Sequence, residues 1–455
     1  MRSISKVFGA AWSILLVSHS VAGITLDVKD PASIKSAAST VAYKLFQSYS
    51  GNKTGGVPGL LDRDYYWWEA GSMFGSAIDY WYYTGDAQYN EITSQALLWQ
   101  VGPNDNYMPP NQSKSLGNDD QCFWAIAAMQ AAESGFPNPP ADRPQWLSLA
   151  QAVFDTQVMR WDNSSCGGGL KWQIFTFNNG YNYKNSLSAG CFFNLASRLA
   201  AYTGNHTHQE WATRMYEWTT NVGLISPEYS VFDGTDDTEN CTSLNHIQWT
   251  QNAGLFIYGA SVMWNITQDQ VWKQRAENLW NASDVFFTST NNQVMYEVAC
   301  EPSNNCDVDQ YAFKANLARA MAASIKVLPS FKSSMMPYLV ASAQAAARQC
   351  NGGSDGITCG THWTADTWDG SYGVGQQLSA LEVIQSLLID NVPAPLTSAN
   401  AVHSTSTSSS NQSTNSSTGS TPSASANSGA FRTNMSNFPL LILLGALGSI
   451  SSLAL

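Results

Sequence analysis

The stretch "YWYYTGDAQY", Tyr80–Tyr89, joins two apolar-periodic segments through a single glycine, Gly85. A glycine just past a helix end takes the left-handed cap conformation without steric cost, so the chain can reverse within a few residues. The device recurs along the chain. "LAAYTGNHTHQEW" (Leu199–Trp211) sets Gly204 between two helical patterns, and "GASVMWNITQDQVW" (Gly259–Trp272) has Asn265 in the glycine's place. "SIKVLPSFK" (Ser324–Lys332) and the longer "AAESGFPNPPADRPQW" (Ala131–Trp146) are further versions. Helical hairpins thus repeat roughly every 60 residues.

Apolar residues keep helical spacing through most of residues 32–390, with few strand-like alternations. About twelve helices result. The links at 84–86, 204–206, 266–267 and 328–330 are tight. Those at 51–65, 102–118, 162–184, 223–248, 287–307 and 350–372 are long. If helices run alternately up and down, every long link falls at one end of the molecule. A closed ring of hairpins, an all-α (α/α)6 barrel, produces this alternation, and long loops on a rigid scaffold are where function is placed.

The ends read differently. Arg2 and Lys6 precede the apolar run Val7–Val17, and "SVAG" (Ser20–Gly23) supplies small residues for cleavage, so 1–23 is expected to be a secretory signal. Residues 24–395 form the folded domain. Residues 396–427 are almost all Ser, Thr, Asn and Ala and are expected to be a stalk, since such a composition buries no core. Residues 428–455 combine small residues, a polar spacer and the apolar tail "PLLILLGALGSISSLAL" (Pro439–Leu455). That pattern describes a GPI-attachment signal, with Asn427 as attachment residue and Ser428 and Gly429 as near alternatives; a transmembrane anchor would want a basic flank after the tail. The chain is accordingly expected on the outer face of the plasma membrane, held by a GPI anchor, and in a cell wall.

Eight cysteines inside the domain fit an exported, disulfide-bonded chain. Cys300–Cys306 and Cys350–Cys359 are the local pairs, and Cys122–Cys191 with Cys166–Cys241 would complete the set, all tying down the long-link face. Glycan acceptors begin at Asn52, Asn111, Asn163, Asn205, Asn240, Asn265 and Asn281. A net charge of -12 argues against nucleic acid as partner. No metal or other cofactor is expected, because zinc-ligand spacing and nucleotide-binding glycine loops are absent from the sequence. His206 and His208 fall in a tight turn and read as solvated.

Asp119 and Asp120, in "SLGNDDQCFWAIAAM" (Ser115–Met129), stand where a long link meets a helix. One of them would suffice as a helix cap. Two adjacent carboxylates repel, so ionising both is costly unless the surroundings separate their proton affinities. That separation is what glycosidic cleavage needs: one carboxylate and one carboxylic acid. Neighbouring α-carbons lie about 3.8 Å apart, so the carboxyls can approach the ~5–5.5 Å spacing of retaining enzymes.

"SLGNDDQCFWAIAAM", with "YYWWEAGSMFG" (Tyr65–Gly75), "CGGGLKWQIF" (Cys166–Phe175), "QWTQNAGLFIYG" (Gln248–Gly259) and "GVGQQLSALEVIQ" (Gly373–Gln385), resembles glycoside hydrolase family 76, within it the fungal GPI-anchored mannan endo-1,6-α-mannosidases. The resemblance implies an (α/α)6 barrel and a retaining mechanism on α-1,6-linked mannose, with Asp119 as nucleophile and Asp120 as general acid/base. It further implies mannan or a GPI-core glycan as donor and wall polysaccharide as acceptor. Other residues fit a sugar cleft. The amides of Asn178 and Asn179 could bind hydroxyls, Asp233 is a candidate third carboxylate, and Trp124 lies one turn beyond Asp120. Trp172, Trp249, Trp363 and Trp368 could form stacking platforms. A non-catalytic mannan-binding wall protein would not need both aspartates. A polysaccharide lyase would want Arg or Lys in the long links, which hold few.

Overall fold

The computed structural model describes residues 23–400, apart from residues 63, 289–292, 366 and 399. The expected signal segment before Gly23, the stalk beyond 400, Asn427 and the apolar tail lie outside the described residues. Twelve α-helices occur among those described: α1 (Pro31–Gln47), α2 (Trp67–Thr84), α3 (Asn90–Trp99), α4 (Asn118–Ser134), α5 (Trp146–Met159), α6 (Ser186–Thr203), α7 (His206–Val222), α8 (Thr250–Thr267), α9 (Gln270–Ala282), α10 (Phe313–Val327), α11 (Lys332–Gln349) and α12 (Val374–Gln385).

The even-numbered helices form an inner ring. Each packs on the next and α12 closes on α2, while the odd-numbered helices lie outside. This is an (α/α)6 barrel. A helix enclosed by neighbours must be apolar or small all round. α4 shows how: Ala125, Ala127, Ala128 and Ala131 admit neighbouring backbones, and Phe123, Trp124 and Met129 fill the gaps. Gly85 and Gly204 take the expected left-handed caps, at φ 79° and 68°. The α8–α9 turn differs. Asn265 lies inside α8, which continues to Thr267, and Gln268 takes the left-handed position at φ 55°.

Alternation of direction puts the N-termini of all six inner helices at the long-link end. A ribbon of β1 (Tyr183–Asn185), β2 (Gly234–Asp236) and β3 (Leu244–Asn245) crosses that end, antiparallel throughout. At the opposite end the chain holds the barrel past residue 395: Leu396 N–H donates to Glu133 O at 2.8 Å and Ser398 N–H to Ala201 O at 3.2 Å.

Three disulfides are present, Cys166–Cys241, Cys300–Cys306 and Cys350–Cys359. The expected Cys122–Cys191 bond is absent, and both are buried free thiols. Burial and the neighbouring Cys122 push the Cys191 thiol up, so it stays protonated and unreactive. His208 is not solvated: it is buried, edge-on to Phe154 at 4.7 Å, because the α6–α7 turn folds it under the hairpin. All seven candidate glycan acceptors are exposed.

One polar chain crosses the half of the barrel away from the long links. Arg319 on α10 bonds Asp79 on α2 at 2.7 Å and Glu382 on α12 at 3.2 Å. Gln130 on α4 donates to Asp79 and accepts from Arg198 on α6, which pairs with Glu133 at 2.6 Å. Tyr258 on α8 faces the Arg198 guanidinium at 5.4 Å. Removing one partner of a buried ion pair strands the other, at a cost of about 3–5 kcal/mol. Arg319→Met is therefore expected to lower unfolding free energy by about that amount, measured by urea denaturation; a change below about 1 kcal/mol would show that the network does not hold the barrel.

Candidate active site

The first turn of α4 carries the aspartate pair. Gly117 precedes it in extended conformation, and its N–H donates to Asp120 Oδ2 at 2.6 Å, the return half of a capping box. Asp120 thus does cap the helix, yet it also lines a hollow of about 540 Å³ together with Asp119, Phe123, Trp172 and Asp309. Asn118 fixes this turn. Its N–H and side-chain amide donate to Trp172 O and Lys171 O, both at 2.8 Å, and its Oδ1 accepts from Arg160 at 2.8 Å.

The two carboxyls are held differently. Asp119 accepts from Asn185 Nδ2 at 3.1 Å and from the Asp120 N–H at 3.0 Å. Asp120 has the single Gly117 N–H. Burial pushes Asp119 up to about 6, against those two donors. Burial and the adjacent Asp119 charge push Asp120 well above the usual carboxylate range. The additional donors favour the charge on Asp119, and that neighbouring charge favours the proton on Asp120. The helix N-terminus, positive by its dipole, favours the charge on Asp119.

A recess of about 230 Å³ continues from the hollow, lined by Asp119, Asn185, Asp233 and Trp249. A wider space of about 710 Å³ lies beyond Trp172. The ribbon places Asp233: the Ser186 N–H donates to its carbonyl at 2.8 Å. Its carboxylate accepts from Tyr183 OH at 2.6 Å and Trp249 Nε1 at 3.0 Å. Beneath, the Cys166–Cys241 bond ties the 162–184 link to the 223–248 link, and the Lys184–Asp162 pair at 2.9 Å draws its own two ends together.

Of the residues singled out from sequence, Asp119, Asp120, Trp172, Asn178, Asn179, Asp233 and Trp249 line this continuous cleft. Asn178 is also structural, since its amide donates to Ser113 O and Gln173 Oε1. Trp124 does not line it. Four residues past Asp120, its ring turns toward α2, stacks on Trp67 at 5.0 Å and is wholly buried; Phe123, one position earlier, faces the hollow instead. Trp368 bonds Ser371 O at 2.7 Å and covers Gly352, and Trp363 is buried beneath Lys314 at 4.1 Å, so both belong to loop packing. Gly117, Asn185 and Asp309 were not singled out. Asn185 carries a readable sign, being an Asn directly ahead of an apolar helix.

The barrel thus sets two adjacent, unequally held aspartates in an aromatic-flanked cleft, the pairing that glycosidic cleavage needs. The chain belongs to glycosyl hydrolase family 76, whose profile matches residues 33–399. It is 46% identical over 401 residues to mannan endo-1,6-alpha-mannosidase DCW1 of Eremothecium gossypii, spanning 87% of this chain and 88% of that one. The Saccharomyces cerevisiae DCW1 is 45% identical over 400 residues, again 87% and 88% of the two chains. The crystal structure of Dfg5 from Chaetomium thermophilum in complex with glucosamine has TM-score 0.79 and 43% identity, covering 82% of this chain and 94% of that one. An inactive variant of the alpha-1,6-mannanase of Salegentibacter sp. HEL1_6, in complex with alpha-1,6-mannotriose, shares the fold at TM-score 0.64 and 18% identity, covering 78% and 99%.

Two predictions follow from the geometry of the pair. A Cβ at residue 117 would collide with Asp119 Oδ1 and crowd Asp120 Oδ2. Since a displacement of about 1 Å can cost 10²-fold in rate, Gly117→Ala is expected to lose about that much kcat while unfolding cooperatively as before. Separately, both carboxyls bind protons more tightly folded than unfolded. Their contribution to stability is full below the unfolded value near 4 and is lost as pH rises through the folded values. Asp120→Asn, which cannot ionise, is expected to raise the melting temperature by roughly 1–4 °C at pH 7 and hardly at all at pH 4. A lower melting temperature at pH 7 contradicts the assignment.

Proposed function

We propose that this chain is a retaining endo-1,6-α-mannosidase that also acts as a transglycosidase at the cell wall. In this reading Asp119 attacks the anomeric carbon of an α-1,6-linked mannose while Asp120 protonates the leaving oxygen. Asp120, now a base, then removes the proton of the acceptor that breaks the mannosyl-Asp119 ester. Water gives hydrolysis; a hydroxyl of wall polysaccharide gives transfer of the donor glycan. The donor is mannan or the mannose-bearing glycan of a GPI-anchored glycoprotein.

The observation that carries the reading is the unequal hold on two adjacent aspartates lining one hollow. Similarity to the fungal mannan endo-1,6-alpha-mannosidases supports the substrate class. Cavity space on both sides of Trp172 supports room for an acceptor beside a bound donor. A signal-like N-terminus and a GPI-signal-like tail support placement at the outer membrane face and wall.

With an α-1,6-mannooligosaccharide, Asp119→Asn is expected to fall to background and Asp120→Asn by about 10²–10⁴-fold. Unchanged turnover in either variant refutes that residue's role. NMR of the first-formed product is expected to show the α-anomer, and a β-anomer rules out retention. Mass spectrometry with wall oligosaccharides added is expected to show mannosylated acceptors; release to water alone leaves a plain hydrolase.

A further inference from the structure

Asp309 stands where the hollow and the recess meet, and lines both. It precedes the 3-10 turn Gln310–Ala312, on the link between α9 and α10. Its surroundings set it apart from the other carboxylates of the cleft. Asn185 holds Asp119, the Gly117 N–H holds Asp120, and Tyr183, Asn245 and Trp249 hold Asp233. Among the described residues, no side chain donates to Asp309 or pairs with it; the backbone amides beside its carboxyl are its own and that of Gln310, and the Gln310 N–H donates to Asp307 O at 3.2 Å. The titratable groups around it are Asp120, Asp307, Glu69 and the Tyr66 hydroxyl, all acidic or neutral. Lys114 lines the same hollow without forming an ion pair to it among the described residues.

A carboxylate accepts hydrogen bonds and cannot donate them, and a partly buried one is costly to leave without donors. The hydroxyls of a pyranose are donors, and an adjacent pair matches the two oxygens of one carboxylate. Phe313, one turn further along, presents its ring to the same two cavities, which suits the apolar C–H face of a sugar.

We propose that Asp309 is a specificity-determining residue that accepts hydrogen bonds from ring hydroxyls of the sugar bound against Asp119 and Asp120. The sugar's identity as α-1,6-linked mannose rests on the function proposed above. The test compares wild type with Asp309→Ala and Asp309→Asn on α-1,6-mannotetraose and its monodeoxy analogues, with thermal unfolding confirming that each variant is folded. Asp309→Ala is expected to lose about 100-fold or more in kcat/KM. One analogue should cost wild type a similar factor and cost the alanine variant less than about twofold, because the hydroxyl and its acceptor are then already uncoupled. Equal penalties on every analogue in both proteins overturn the proposal. A variant that keeps its plateau rate and only moves the alkaline limb of the pH profile also overturns it, since Asp309 would then act through its charge on Asp120. Failure of wild type to cleave the parent substrate sinks the functional reading instead. Calorimetric binding of α-1,6-mannotriose to Asp119→Asn protein, with and without Asp309→Ala, then decides: about tenfold weaker binding supports the hydroxyl contact, and unchanged binding overturns it.

Discussion

The polar chain through the lower barrel is the constraint on which the ring depends. Glu382, Arg319, Asp79, Gln130, Arg198 and Glu133 follow one another across five inner helices, and Tyr258 brings in the sixth. Apolar packing is non-directional, whereas a buried charge must find its partner at one register. A slip of one turn leaves that charge without it. Burial here is strong enough to push Glu382 up to about 8 despite Arg319 beside it. Arg319 and Arg198 each find a carboxyl partner across the ring, Asp79 and Glu133, at 2.7 and 2.6 Å.

Locking one end of the ring leaves the other free for chemistry. All six inner helices begin at the long-link end, so their partial positive termini converge around the cleft. This offsets part of the cost of gathering four carboxylates there, Asp119, Asp120, Asp233 and Asp309. The offset is incomplete, and each of the four is pushed upward by burial. Small differences in donor count then decide which carboxyl stays ionised. Asp119 has two donors and Asp120 one, and that asymmetry divides the labour between two chemically identical neighbours.

Much of this was legible in the sequence because its causes are local. The glycine turns at Gly85 and Gly204 announce the hairpins, and the alternation of short and long links announces the ring. The aspartate pair was legible because side-by-side carboxylates need a reason. What escaped depends on angles and depth. Trp124 and Phe123 are adjacent in the chain, and only the rotation of α4 decides which ring meets the hollow. Asp309 was hidden inside an expected helix from 308, whereas α10 begins at Phe313 and leaves it on a link. Cys122 and Cys191 were read as partners by parity, yet they stand on adjacent inner helices as two buried free thiols. His208 was judged by its turn, and the turn folds it inward.

The last described stretch of chain lies against the pole opposite the cleft, where Leu396 and Ser398 bond to the ends of α4 and α6. The cleft opens at one pole of the barrel and the last described residues close the other, so this strap seals the base of the ring while the rim that faces the substrate is shaped by the long links alone.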